Sequence, residues 1–265
     1  MEEAVVLYSG GTDSTCAAAI MAERFQRLHL LTFDRYGFHH VERSRDTVEA
    51  LARRFPDTEF VHRIVRVEKL FAHLAYRDYL SRLRRFGFRM LQNCTFCALA
   101  HHLRALAWCQ EHGIRHVADG VTRELQYLPS HMEKPLGRLR EYYASFGIEY
   151  HTPVYDFDVP PEIGFFDKVF LPEDGDRGVA VDPGLRTPGR YLHELGLLPQ
   201  DNIKGSALDR RRQYRCFQYV INNLVAFHTS PTRDYGVYEQ EILAVYEDSL
   251  QNYRPDPSLL EGEKT

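Results

Sequence analysis

The sequence predicts an α/β chain: a parallel sheet flanked by helices, followed by a mainly helical C-terminal part. Three observations predict it. Short apolar runs alternate with amphipathic stretches over roughly the first seventy residues, the pattern of parallel strands joined by crossover helices. The first run ends in a glycine-rich loop that opens a helical stretch. Near Val159-Pro160-Pro161 the composition shifts to Gly, Pro and Asp, and helical periodicity returns only later.

Each element can be justified in order. Ala4 to Tyr8 is a short apolar run and reads as a buried strand. A helix follows over Ser14 to Arg27, with Ala18, Met21, Ala22 and Phe25 on one face. Leu28 to Phe33 is a second strand, closed by Asp34-Arg35-Tyr36-Gly37. Glu42 to Arg54 is an amphipathic helix ended by Pro56-Asp57. Phe60 to Val67 is a third strand, Glu68 to Met90 a helical stretch rich in arginine, and Cys94 to Gly113 another helix. Ile114 to Ala118 and Glu149 to Tyr155 complete the strands, with a helix over Gly137 to Phe146 between them. Two helices are expected late, over Ser206 to Phe227 and Tyr235 to Tyr253. The division falls between residues 1–158 and an irregular, then helical, region 159–265.

Bulk properties exclude some classes. An apolar fraction of 44% and a charged fraction of 26% are ordinary for a globular protein. No window has the apolar length of a membrane span, and the acidic Met1-Glu2-Glu3 start does not read as a secretory signal, so a cytoplasmic location is expected. A net charge of −4 argues against a protein built to coat nucleic acid. The five cysteines, an odd number, read as free thiols, a metal site or redox chemistry rather than a disulfide framework.

The loop Ser9-Gly10-Gly11-Thr12-Asp13-Ser14 between strand and helix is a phosphate-binding arrangement. Glycines let the backbone approach an anion, and the helix N-terminus points N–H groups and its dipole at it. Ser9, Thr12 and Ser14 add hydroxyl donors. No lysine follows, which excludes the kinase and GTPase loop. Asp13 would repel phosphate unless Mg²⁺ lay between them.

These six residues match the S-G-G-x-D-S signature of the PP-loop, or N-type, ATP pyrophosphatase superfamily, which the chain resembles over about residues 1–155. The resemblance implies a Rossmann-like sheet of the adenine nucleotide alpha hydrolase kind. It implies that ATP is split to AMP and pyrophosphate to adenylate a substrate oxygen, and that Thr32, Phe33 and Asp34 pack on adenine. Leu31 to Gly37, with Glu42, is especially similar to the deazaguanine nitrile synthase branch of queuosine biosynthesis.

Cys94-Thr95-Phe96-Cys97 opens a helix, where two sulfurs can share a metal or form a reversible disulfide, and where the helix N-terminus favours thiolate. Followed by Asp119-Gly120, the pair resembles PP-loop sulfurtransferases, including tRNA thiolases in which three thiolates hold a [4Fe–4S] cluster. By that analogy Cys216 is the third ligand; Cys109, three turns along the same helix, points back toward the pair poorly, and Cys16 reads as a small buried residue. Iron–sulfur, persulfide, zinc and buried-thiol readings all stand. His101 and His102 read as solvated or capping residues. After Gly120 the sequence Val121-Thr122-Arg123-Glu124 departs from the related Asn and paired Asp, with Glu124 a candidate Mg²⁺ ligand. The late zinc-binding cysteines of the deazaguanine branch are missing.

The expected activity is ATP-dependent adenylation followed by sulfur transfer, with Asp13, Cys94 and Cys97 in the reaction. A ligase using ammonia or an amine, and a non-catalytic nucleotide-binding protein, are the alternatives. The acceptor is a small molecule, a nucleobase or tRNA. Arg82, Arg84, Arg85 and Arg89, and Arg210 to Arg212 with Tyr214, are the candidate phosphate contacts, against the plainer reading of solvated faces. The region after Asp156 is expected to set substrate choice and to serve a homodimer.

Overall fold

The computed structural model describes residues 2–158, 181–204, 206–212, 214–216, 234–260 and 262. Its centre is a five-stranded parallel sheet. β1 (Glu3–Leu7) lies in the middle, between β2 (Arg27–Asp34) and β5 (His116–Asp119). β4 (Glu59–Arg66) lies outside β2, and β6 (Glu149–His151) outside β5. A two-residue strand β3 (Phe38–His39) pairs antiparallel with β7 (Arg215–Cys216) in a separate small sheet. The order of the main sheet reverses between β1 and β5. In open α/β sheets that switch point, at the carboxyl ends of the strands, is where ligands bind.

Both faces of the sheet are covered, which explains why its strands read as apolar runs rather than alternations. On one face, α1 (Thr12–Ala22) and α2 (Val48–Arg54) pack with Ala4, Val6, Leu28 and Leu30. A later segment joins them through Leu192, Leu197 and Ile203, with Leu192 on α7 (Pro188–Glu194). On the other face, α3 (Glu68–Tyr76), α5 (Asn93–His112) and α6 (Glu133–Ala144) pack with Val5, Leu31, Phe33 and Val117. The last helix, α9 (Tyr235–Asn252), adds Tyr238, Ile242, Val245, Tyr246 and Leu250 to that same core. Each such aliphatic side chain contributes about 1.5–3 kcal/mol by burial.

The sheet and its crossovers follow the sequence closely, with three corrections. The stretch from Glu68 to Met90 is not one helix. It breaks at Arg77–Asp78, where Asp78 takes a left-handed conformation (φ 49°), and resumes as α4 (Tyr79–Phe86) before a 3₁₀ turn. Aspartate tolerates that conformation better than most residues, so the break has no Gly or Pro to mark it. The amphipathic stretch from Glu42 begins as a 3₁₀ helix, Val41–Thr47, before turning α-helical. The helix expected over Ser206 to Phe227 is only α8 (Ala207–Arg212), after which Cys216 lies on β7. Cys216 therefore belongs to a strand, not to a helical face. The rest of that expected helix, with Val220, Leu224 and Phe227, lies outside the described residues, as does the boundary near 159.

Candidate active site

The loop from Ser9 to Ser14 sits at the switch point. Gly10 has φ 79°, and a Cβ there would come within 2.7 Å of the Ser44 backbone and 3.3 Å of the Arg212 carbonyl. Only glycine meets both demands. Gly11 is the N-cap of α1 and offers no side-chain cap, which leaves the first-turn amides to an incoming anion. Ser14 Oγ donates to the Gly11 carbonyl at 3.2 Å and lies 2.9 Å from Ser9 Oγ. Asp13 Oδ1 and Thr12 Oγ1 are buried without a hydrogen-bond partner. Two orphaned oxygens beside a phosphate cradle fit a hydrated Mg²⁺ and a phosphoryl group.

The loop is braced from both sides. Thr32 Oγ1 donates to the Tyr8 carbonyl at 2.7 Å, tying the end of β2 to β1. Ser44 Oγ donates to the Val41 carbonyl. Both hydroxyl protons are thus committed, so His62 Nε2, 2.9 Å from Thr32 Oγ1 and 3.2 Å from Ser44 Oγ, must carry the proton shared with them. Burial, with Arg45 and Arg63 nearby, lowers the His62 pKa to about 4 and keeps the ring neutral. Across the loop Gly120 lies so close that a Cβ would sit 2.5 Å from Ser14 N. Asp119 turns inward: Oδ1 accepts from Val121 N at 3.0 Å and Oδ2 from the Tyr150 hydroxyl at 2.7 Å. Its carboxylate shapes the turn, and Gly120 is what meets the loop. Glu124, the candidate Mg²⁺ ligand, is ion-paired with Lys204, and Arg123 with Asp156 at 2.5 Å. The charges of Lys204 and Asp13 both act on half-buried His131, whose pKa is lowered first by desolvation.

At the end of β2, Thr32 and Phe33 are buried. Phe33 stacks on His101 with centroids 4.4 Å apart and planes 12° apart. His101 is one turn beyond Cys97, whose Sγ is 3.5 Å from His101 Nε2. The His-His pair is therefore neither solvated nor a cap. His102 is buried, its Nδ1 3.2 Å from the Tyr143 hydroxyl and its Nε2 3.5 Å from Asp119.

The cysteine site contains a residue to which sequence reasoning gave no role. Arg35, directly after β2, is buried, with its guanidinium 4.6 Å from the Phe38 ring and 4.3 Å from Phe71. Arg35 Nε donates to Cys97 Sγ at 3.2 Å. Burial opposes this charge, yet Cys97, Cys216 and Cys94 together raise the Arg35 pKa. Cys94 and Cys97, one helical turn apart, and Cys216, far downstream, thus all act on one cation, which Cys97 touches. Their sulfurs do not all lie within 4.8 Å of one another, the crowding that ligands of a single zinc ion need. Thiolate character at the helix N-terminus is not what results. Burial pushes both the Cys94 and Cys97 thiols up, and Arg35 only partly offsets it at Cys97. Cys16 and Cys109 are buried elsewhere, and burial raises Cys109 to about 12.

The arginine clusters are mostly committed. Arg82 and Arg85 bridge to Asp248, and Arg89 to Glu241, which docks α4 and its 3₁₀ turn on α9. Arg212 donates to the Leu197 carbonyl, and Arg43 to that of Arg210.

Signature, sheet order and loop geometry together resemble those of the PP-loop ATP pyrophosphatase superfamily. More particularly, residues 3–76 match the family model described as queuosine biosynthesis protein QueC, a match that spans β1 through α3. No curated protein matches the chain. Among solved structures, one similar fold is a predicted subunit of tRNA methyltransferase from Methanocaldococcus jannaschii, at 18% identity and TM-score 0.37, covering 82% of this chain and 97% of that one. Another is a 4-thiouridine synthetase in complex with RNA and bound ATP, at 16% identity and TM-score 0.43, covering 95% of this chain and 54% of that one. A third is the U34-tRNA thiolase NcsA from Methanococcus maripaludis with its [4Fe–4S] cluster, at 12% identity and TM-score 0.36, covering 96% and 74%. Among the described residues no helix is long and apolar enough to cross a membrane.

Proposed function

We propose that this chain adenylates a substrate oxygen with ATP and then replaces that oxygen with sulfur. The observation that carries the reading is the contact of buried Arg35 with Cys97, beside the strand end that adjoins the phosphate loop, with Cys94 on the same helical turn and Cys216 paired with Phe38. In the first step the substrate oxygen bonds to the α-phosphorus and the bond to pyrophosphate breaks. Gly10, Gly11 and the first turn of α1 would hold the phosphates, and Asp13 and Thr12 would hold Mg²⁺. In the second step sulfide bonds to the activated carbon and the carbon–oxygen bond breaks, releasing AMP. Cys94, Cys97 and Cys216 would hold a [4Fe–4S] cluster, which when bound supplies an iron open to sulfide. Arg35 offsets the negative charge that such a thiolate set carries. The acceptor class is a nucleobase, free or in tRNA.

Asp13→Ala is expected to abolish pyrophosphate release without unfolding the chain, and retention of that rate would refute the adenylation step. Anaerobic protein is expected to be brown and to bleach on Cys94→Ala or Cys216→Ala. A colourless anaerobic protein with zinc on its cysteines would refute the cluster. A second reading, a nitrogen nucleophile, is favoured by the match to the QueC model over residues 3–76. Substrate turnover that depends on ammonium and ignores sulfide would select it.

A further inference from the structure

A second cluster of ligand side chains lies at the other end of the sheet. In the parallel pair β5–β6, His116 is in register with Glu149. Residues two apart on a strand share a face, so His151 projects beside Glu149, on the side of the sheet where Ala118 packs with α1. His116 Nδ1 is 3.1 Å from His151 Nε2, and the Glu149 carboxylate is 3.6 Å from each ring. One ligand atom from each of the three lies within 4.8 Å of the others.

We propose that His116, Glu149 and His151 form a binding site for a transition-metal dication, Zn²⁺ first. Ligands sharing one tetrahedral zinc at 2.0–2.1 Å lie about 3.3 Å apart, a spacing that small side-chain rotations reach from atoms already within 4.8 Å of one another. Two imidazoles and one carboxylate leave a fourth position for water and suit zinc over magnesium or calcium. The site has a closed end and a mouth: the side chain of His151 is 12% exposed, His116 27% and Glu149 64%. The buried Phe25 ring forms a wall, 4.9 Å from His116 and 6.5 Å from His151. The charged and titratable groups facing His151 are Glu149, His116 and Arg24. His116 and Glu149 begin their strands, whereas Asp119 ends β5 at the phosphate loop, so this site stands apart from ATP. Its role is to clip β6, a three-residue edge strand, to β5.

The test is Zn²⁺ titration of the full chain carrying Cys94→Ala and Cys97→Ala, which removes the thiolate pair. One ion per chain is expected, with melting raised by about 5–10 °C at a hundredfold excess over Kd. Substituted Co²⁺ is expected to give a visible spectrum without thiolate charge transfer. His116→Gln and His151→Gln should each lose at least tenfold in affinity while melting like their parent without metal. Unchanged affinity in both variants, or no thermal shift with Zn²⁺, overturns the site. Should the cysteine variant not fold, the same comparison in the parent chain rests on the thiolate-free Co²⁺ bands. They vanish in His151→Gln if the site is real and persist if it is not.

Discussion

Adding one methyl group at Gly120 tests how the phosphate loop is held. The Cβ of Gly120→Ala would lie 2.5 Å from Ser14 N, 2.6 Å from Ser14 Cα and 2.7 Å from the Asp13 carbonyl carbon. All three are backbone atoms of the first turn of α1, so no side chain can swing aside. Ordinary contact begins at 3.4 Å, so the loop must retreat by about 0.9 Å. Overpacking of this kind costs about 1–3 kcal/mol, a fall in melting temperature of about 2–10 °C at this chain length. A displacement near 1 Å at a reacting centre costs about a hundredfold in rate. Gly137→Ala is the matched control. A Cβ there meets nothing within 4 Å, and the residue is inside α6. It should stabilise by about 0.5–1 kcal/mol, because alanine loses less backbone entropy than glycine. The assays are thermal melting and pyrophosphate release for both variants. The reasoning fails if Gly120→Ala melts with the parent and releases pyrophosphate at the parental rate, or if the two variants shift stability in the same direction.

Two further predictions concern buried charge. His102, with burial lowering its pKa to about 3, contributes stability present above its unfolded pKa and lost as pH falls. Asp119, raised by burial to about 6, acts oppositely: its contribution is present below the unfolded pKa and lost as pH rises through about 6. Between about pH 4 and 6 the two nearly cancel, so Asp119→Asn should uncover a loss of about 3 kcal/mol on acidification across that window. Denaturant titrations at a series of pH values measure it, and a variant whose acid slope equals that of the parent refutes it. Arg35→Met should lower the yield of reconstituted cluster and shift its reduction potential to more negative values, whereas Arg35→Lys restores part of both. Equal potentials in all three proteins would show that the cation does not act on the site.

The strands and the phosphate loop were legible because they depend on local sequence. A buried parallel strand is an apolar run, and Ser9 to Ser14 carries its own geometry in two glycines. The cysteine site was legible only in outline. Pairing Cys94 with Cys97 needs one helical turn, but the approach of Cys216 depends on a two-residue strand pairing with Phe38, which no periodicity announces. The arginines after Asp209 looked helical, and α8 accounts for them only as far as Arg212. Arg35 was invisible as a site residue because its meaning lies in what acts on it: two aromatic rings and three sulfurs. The arginine cluster from Arg82 to Arg89 was half legible. A basic run reads as a solvated face until the fold brings Asp248 and Glu241 to it.

The segment that crosses the site also sets a length. The carbonyl of Arg212 overlies Gly10, and Cys216 pairs beside Phe38. Four residues of chain, even fully extended, span at most about 14 Å. The backbone thereby acts as a ruler between the phosphate loop and the strand that carries Cys216. On the proposed reaction, an activated substrate needs no swinging carrier and no domain closure to travel between the two steps. Its reactive carbon has only to cross that span.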